Sequence, residues 1–406
     1  MPGPDFPHIA MDKRPLIVHL VYRLDFGGLE TLLVECINRL PAERYRHAVV
    51  CLTDYTAFAK KIRDHKVALY SLHKPPGLGL STHLKLWRLL RRLKPAILHT
   101  YNLAAIEYAF TATLAGVPVR IHAEHGRDAS DPEGKNPRHN MLRRLLTPFI
   151  DRYIPVSADL ARWLQAVVGI PEAKVQLIHN GVDTVRFHPG SNRQSATLQT
   201  QRLQPLPFSD DCFVIGTVGR IQDVKNHAGL VDAFILLQQL VPDASSLRLA
   251  IVGDGPLLPA LRQKIADAGL SESVWLPGAR SDIADIMRGL DLFVLPSLAE
   301  GTPVTVLEAM ASGLPVVATQ VGGLPEAVEE SVSGVLVPPA DMPALAAALH
   351  AYQADPARAR AAGIAGRARI ERQYSVQAML GAYAALYDVL LAQKTSFREP
   401  IGSCVE

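Results

Sequence analysis

The chain is poor in the signatures that mark several common functions. It has four cysteines in 406 residues, Cys36, Cys51, Cys212 and Cys404, and no C-x-x-C pair. That scatter argues against a thiolate zinc site and a disulfide framework, and suits a reducing cytosol. The 14 histidines form no H-x-x-x-H pair and no carboxylate-rich cluster, so no metal is implied. No cofactor is implied either: there is no G-x-G-x-x-G, no Walker A loop and no G-x-S-x-G elbow. An NAD-dependent dehydrogenase is thereby disfavoured. No stretch approaches the roughly 18 uninterrupted apolar residues of a membrane-spanning helix. The first ten residues lack the apolar run of a signal peptide, and Met11, before DKRPLIVHL, reads as an alternative start.

What is present is a large core. Hydrophobic residues make up 48% and charged residues 20%, which fits a globular protein of two or three domains. The net charge of +3 hides an asymmetry. Residues 1–200 hold 27 Lys+Arg against 17 Asp+Glu, and residues 201–406 hold 15 against 22. The basic half is the one to meet an anionic partner.

Short apolar runs alternate with amphipathic segments. Strands are expected at 16–22, 47–53, 67–72, 96–100, 119–124, 151–156 and 175–179, with helices at 29–40, 56–65, 81–94, 103–115, 138–149 and 157–168. Residues 180–211 break the pattern, with NGVD, HPGSN and a polar Gln/Thr/Ser stretch. The alternation restarts at 213–219 and continues through strands at 247–252, 273–276, 291–295, 315–318 and 334–337. Two helices follow from about 357 to 392, and 394–406 is expected to fray. The fold class expected is α/β: two tandem doubly wound Rossmann-like domains with a cleft between them. Ligands of such sheets bind beyond the carboxyl ends of the strands.

Four loops after strands carry chemistry. In DLFVLPSLAEGTPVTVLEAM (291–310), a strand leads into a loop holding Glu300 and Gly301, and a helix starts near Pro303. The free N–H groups around Val304 and Thr305 form an anion site. Glu308 lies eight positions beyond Glu300. A loop carboxylate, a phosphate cradle and a second carboxylate match the hydroxyls, diphosphate and ribose diol of a nucleotide sugar. The plainer alternative is a helix cap and a solvated glutamate. In GTVGRIQDVKNH (216–227), Arg220 and Lys225 follow a strand before a helix capped by Asn226, a pyrophosphate site or ordinary surface cations. In RLDFGGLET (23–31), Gly27 and Gly28 either let backbone N–H groups approach a ligand or simply make a tight turn. In IHAEHGRD (121–128), His125 ends a strand and is a core-edge residue or a contact to a bound sugar; His99 reads as structural.

Together these segments resemble the retaining, GT-B-fold group 1 glycosyltransferases. The resemblance runs from about 16 to 392 through FGGLE, VSADL, IHNGVD, GRIQDVKNH, IVGDGP, LPG, EGTPVTVLEAMASGLPVVAT, GG at 322–323 and GVLVPP. Its overall look is similar to the sugar transferases of bacterial exosortase-linked exopolysaccharide clusters. The resemblance implies an acceptor domain over 11–182, a linker over 183–211, a donor domain over 212–374 and a C-terminal crossover helix (375–392) closing the first domain. It implies that Glu308 holds the ribose and Glu300 the transferred sugar. Arg220 and Lys225 would bind the diphosphate as it leaves, Gly28 would lend N–H to it, and His125 would orient the sugar. The loop at Ala279 and Arg280 would meet the base. Thr302 stands where relatives often carry an apolar residue, a place to tune donor choice. The D-x-D element of metal-dependent transferases is absent.

No residue is placed by sequence as a covalent nucleophile, so front-face displacement is expected, with the leaving phosphate taking the acceptor's proton. The partners implied are a UDP- or GDP-sugar and a saccharide or lipid-linked acceptor. HLKLWRLLRRLK (83–94), with Lys85, Arg88, Arg91, Arg92 and Lys94 around Trp87, and Arg138, Arg143, Arg144 and Arg152 beyond it suit an anionic membrane surface as well as a solvated helix. A cytoplasmic protein peripheral to the inner face of the membrane is the expectation. The competing readings are a nucleotide-sugar epimerase of the same fold and a nucleic-acid-binding protein using the basic half. The second lacks stacking aromatics and a recognised module, so no nucleic acid is expected.

Overall fold

The computed structural model describes residues 12, 14–77, 79–128, 130–190 and 206–396. The middle of the expected linker, both terminal extensions and residues 13, 78 and 129 lie outside them. The first sheet is built from β1 (Leu16–Val21), β2 (Arg46–Cys51), β3 (Ala68–Ser71), β4 (Ile97–Tyr101), β5 (Val119–Glu124) and β6 (Arg152–Pro155), in the order β3-β2-β1-β4-β5-β6. The second holds β7 (Phe213–Val218), β8 (Leu247–Val252), β9 (Val274–Gly278), β10 (Leu292–Leu295), β11 (Val316–Thr319) and β12 (Gly334–Val337), in the order β12-β11-β10-β7-β8-β9. Among the described residues every pairing of these strands is parallel. The strands are continuous apolar runs because helices cover both faces of each sheet.

Both sheets reverse strand order beside their first strand, between β1 and β4 and between β7 and β10. Such reversals open a crevice at the strands' carboxyl ends. The loop with Gly27 and Gly28 leaves β1, Arg220 follows β7, and Glu300 follows β10. The two glycine-flanked crevices therefore hold three of the four loops singled out above; His125 follows β5, one strand over.

The helix Val376–Ser396 packs on the first sheet although it is last in sequence. Its Val376, Met379, Tyr383, Leu386, Tyr387 and Leu390 join the core of β1, β2 and β4. The two crossing segments pair where they pass: Val182 N–H donates to Tyr374 O at 2.9 Å, and Val376 N–H to Val182 O at 2.9 Å. Gly181 is required there, since a Cβ would sit 2.7 Å from the Val376 Cα.

The helix expected at 103–115 is broken at Glu107 into Asn102–Ile106 and Tyr108–Leu114, and two expected elements differ in kind. Residues 175–179 run beside β6 but form one isolated bridge, Tyr153 with Val175. Pro155 has no N–H to extend that ladder. The helix expected at 56–65 is a short 3₁₀ turn, Ala57–Lys61, capped by the Thr56 hydroxyl; the polar stretch after it gives a longer helix no apolar stripe to bury.

Candidate active site

The donor-side loops converge. Lys225 Nζ lies 2.5 Å from Glu300 Oε1, with both side chains largely buried. Lys225 comes from the loop after β7 and Glu300 from the loop after β10, so the pair bridges the crevice between neighbouring strands. Arg220, at the end of β7, is exposed. The helix Val304–Ala311 begins after Pro303 with no side-chain cap and no charged residue in its first turn. Its first N–H groups are therefore open to an anion, which the helix end stabilises by roughly 0.3–1 kcal/mol. Glu308 sits one turn in. Burial pushes its carboxyl up to about 7, against the pull of the Arg186 and Lys61 charges.

The Glu300 loop is supported from below. Gly322 has φ +54°, and a Cβ there would fall 1.9 Å from Glu300 O. Gly323 N–H donates to Gly301 O at 2.7 Å. The glycine pair lets the loop after β11 pass directly under the loop after β10.

The first domain closes against this arrangement. Gly28 approaches Val304, whose Cγ2 would lie 3.6 Å from a Cβ at Gly28. The helix Gly28–Arg39, with Gly27 as its uncapped N-terminal residue, thus aims its N-terminus at the same gap as the helix Val304–Ala311. Gly301 presses on the His125 carbonyl, where a Cβ would fall 2.0 Å away. Asn102, at φ +55°, accepts the His125 N–H on its Oδ1 at 2.8 Å. Both ring nitrogens of His125 are buried without a hydrogen-bond partner, and burial lowers its pKa to about 4, so the imidazole is neutral. His99 is a core residue, its Nδ1 between the hydroxyls of Tyr101 (3.1 Å) and Tyr387 (3.0 Å).

Thr302 is a correction. Its side chain is buried, its hydroxyl donates to Val156 O at 3.0 Å, and its carbonyl accepts from Asn180 Nδ2 at 3.0 Å. It ties the two domains rather than facing a donor. Ala279 is exposed beyond β9, and Arg280 pairs with Asp282 at 2.6 Å over the Trp275 ring, at the sheet edge away from the Lys225–Glu300 pair. Arg143 is a second correction. It is 2% exposed and bound to Glu124 at 2.7 Å, so it is no surface cation. Burial raises the Glu124 carboxyl, but the Arg143 charge and the His122 hydrogen bond outweigh it and hold it at about 2.

Three charges went unassigned in the sequence. Glu30, inside FGGLE, folds its carboxylate over Gly27, within 2.1 Å of where a Cβ would stand. Burial pushes it up to about 7, with Asp25 raising and Arg220 lowering it. Lys61 and Arg186 bear on Glu308 from outside the second sheet. Glu30's place within a recognised motif was the one available signal.

A family profile described as "Glycosyl transferases group 1" matches residues 212–355, and "Glycosyltransferase Family 4" matches residues 26–186. The lipopolysaccharide core biosynthesis mannosyltransferase LpsB of Rhizobium meliloti (strain 1021) is 32% identical over 259 residues, covering 63% of this chain and 70% of LpsB. The chain belongs to the group 1 glycosyltransferases. This glycosyltransferase is also similar to the UDP-Gal:alpha-D-GlcNAc-diphosphoundecaprenol alpha-1,3-galactosyltransferase of Escherichia coli, 27% identical over 332 residues, 79% of this chain and 83% of that one. Among solved structures, Anabaena Alr3699/HepE in complex with UDP and glucose superposes with a TM-score of 0.78 at 22% identity, covering 92% of this chain and 100% of HepE. That likeness establishes the two-domain GT-B fold of this glycosyltransferase.

Proposed function

We propose that this glycosyltransferase moves a sugar from a UDP- or GDP-sugar, with retention of configuration, to a saccharide carried on a lipid in exopolysaccharide or envelope glycan synthesis. The Lys225–Glu300 pair beside the open N-terminus of Val304–Ala311 carries the reading. Lys225 and Arg220 take the diphosphate, and Glu300 turns from Lys225 toward the sugar hydroxyls. Glu308 takes the ribose diol, and Gly27, Gly28, Gly301, Val304 and Thr305 offer backbone to the phosphates. Ala279 and Arg280 meet the base. The neutral His125 orients the sugar. Departure of the diphosphate develops negative charge between two cations and the open N-terminus of Val304–Ala311, and a phosphate oxygen accepts the proton of the incoming hydroxyl. The protein's part is positioning and fixed electrostatics.

The lipid-carried acceptor is supported by the name of the Escherichia coli relative and by the first domain's surface. No helix of the described residues is long and apolar enough to cross a membrane. The helix Leu80–Leu93 exposes Leu84 and Trp87 beside Lys85, Arg88, Arg91 and Arg92, and the nearby Leu114 is 60% exposed, its carbonyl accepting from Trp87 Nε1. Apolar side chains ringed by cations suit an anionic lipid surface.

Thermal shift against UDP-, GDP- and ADP-sugars tests the donor. A ligand at 100 times its Kd adds roughly 2.7 kcal/mol of stability, and no shift with any of them refutes the reading. The anomeric configuration of the product, read by NMR, tests retention. Flotation with phosphatidylglycerol vesicles but not phosphatidylcholine vesicles is the membrane result expected.

A further inference from the structure

The loop between β1 and the helix Gly28–Arg39 exposes an aromatic ring that the protein nevertheless holds in place. Phe26 is 59% exposed. Its edge meets Phe58 at 5.2 Å between centroids and 72°, and Lys61 Nζ lies over both rings, 5.4 Å from Phe26 and 4.6 Å from Phe58. The loop itself is fastened to the segment after β2. Leu24 N–H donates to Asp54 O, Thr56 N–H to Leu24 O, and the Thr56 hydroxyl to Asp25 Oδ1. Burying Phe26 would have removed its apolar area from water at about 25 cal/mol per Å²; instead, the structure fixes it outward at the mouth of the cleft, two residues from the Gly28–Val304 contact.

Glu30 stands one turn away. Its carboxylate covers Gly27, accepts a hydrogen bond from its own backbone N–H, feels the Arg220 charge from the opposite domain, and forms no ion pair within 4.0 Å among the described residues, which leaves lone pairs for a further donor. It is a poor partner for the donor. A diphosphate repels it, and the donor's hydroxyls already have Glu300 and Glu308. The hydroxyls left for Glu30 are those of the molecule entering from the first domain.

We infer that Phe26 and Glu30 form the subsite for the acceptor's reacting sugar, Phe26 lying against the ring's C–H face and Glu30 accepting a hydrogen bond from one of its hydroxyls. An aromatic face is negative and a pyranose C–H face is weakly positive, so the two attract. A hydroxyl held by a carboxylate gains a charge-assisted hydrogen bond. Both residues fall on the first-domain side of the gap whose other wall is Lys225, Glu300 and Val304. The inference rests on the transferase reading above.

The test uses the full chain with n-octyl α-glycosides of glucose, galactose, mannose and N-acetylglucosamine as acceptors, beside the nucleotide sugar that stabilises the wild type. Phe26→Ala and Glu30→Gln are each expected to raise the acceptor KM about tenfold, the loss of one stacked ring or one charged hydrogen bond, while affinity for that donor's nucleotide is not weakened. Phe26→Tyr restores the KM. An unchanged acceptor KM in both variants overturns the subsite, as does nucleotide affinity that falls in step with transfer. So does a wild type that hydrolyses the donor yet uses none of the glycosides. A wild type that binds no nucleotide sugar at all refutes the transferase reading instead.

Discussion

Replacing Glu308 by glutamine is expected to make the protein more stable and less able to bind its donor. The carboxyl's ordinary value of 4.5 is pushed up to about 7 by burial in the helix Val304–Ala311, opposed by Arg186 and Lys61. The folded state therefore holds the proton more tightly than the unfolded one. Below about pH 4.5 both states are protonated and the carboxyl costs nothing. As pH rises toward 7 the unfolded chain ionises first, and above 7 the folded protein must carry the charge too. Stability falls across that window, and the loss is complete above it. A shift of that size is worth about 3 kcal/mol at full burial, and about 1–3 kcal/mol with some solvent reach. Glutamine has no such cost. Urea denaturation at pH 4.5 and pH 8.5 should show the variant gaining on the wild type by that amount at the higher pH only. Glu30, also raised to about 7, titrates in both proteins, so the difference isolates Glu308. Nucleotide affinity should drop roughly 10- to 100-fold through loss of charged hydrogen bonds to the ribose. A wild type and variant with parallel stability–pH curves would refute the reasoning.

Three further outcomes follow from the same geometry. Arg220→Ala with Lys225→Ala should cut turnover by roughly 10²–10³-fold or more, in line with removing preorganised donors; full activity in a steady-state assay sinks the diphosphate assignment. Gly301→Ala puts a Cβ 2.0 Å from His125 O, so it should hold the domains apart, with a larger radius of gyration by small-angle scattering and slower transfer. Arg143→Met takes the guanidinium from the buried Glu124 and leaves it only the His122 contact, so it should cost up to about 3–5 kcal/mol in chemical denaturation, whereas a membrane role for Arg143 would appear instead as lost vesicle binding in a stable protein.

Most strands were legible because they are short, buried apolar runs, while the edge strands β3, β9 and β12 are only part-buried and were found by their place in the alternation with helices. The 175–179 segment was misread because its partner strand ends on Pro155, a feature of the neighbour rather than of the segment. On the site, Glu300, Lys225 and Glu308 could be singled out because loop, helix start and spacing are local. Lys61 and Arg186 could not, because only the packing of one domain on the other sets what they face; Glu30 turns back over Gly27 within its own loop and was legible only as part of the FGGLE motif. Arg143 was taken for a surface cation because charge counting does not say which helix face turns inward. Its buried companions Asn140 and Leu146, three residues to either side, mark that face.

The helix Val376–Ser396 imposes an order on synthesis. The first sheet is fully translated once Pro155 is made, yet its core lacks Tyr383, Leu386, Tyr387 and Leu390 until that distant helix has been made as well. At about 5–20 residues per second the gap lasts roughly 10–50 s. During that interval the apolar face of β1, β2 and β4 is covered only in part, by Leu32, Leu33, Cys36 and Ile37 of the helix Gly28–Arg39 and by Phe58, while the second domain can complete its sheet. Completion of the first core therefore waits on a helix that is made after every strand of the second sheet, so the first domain is closed from the far side of the second.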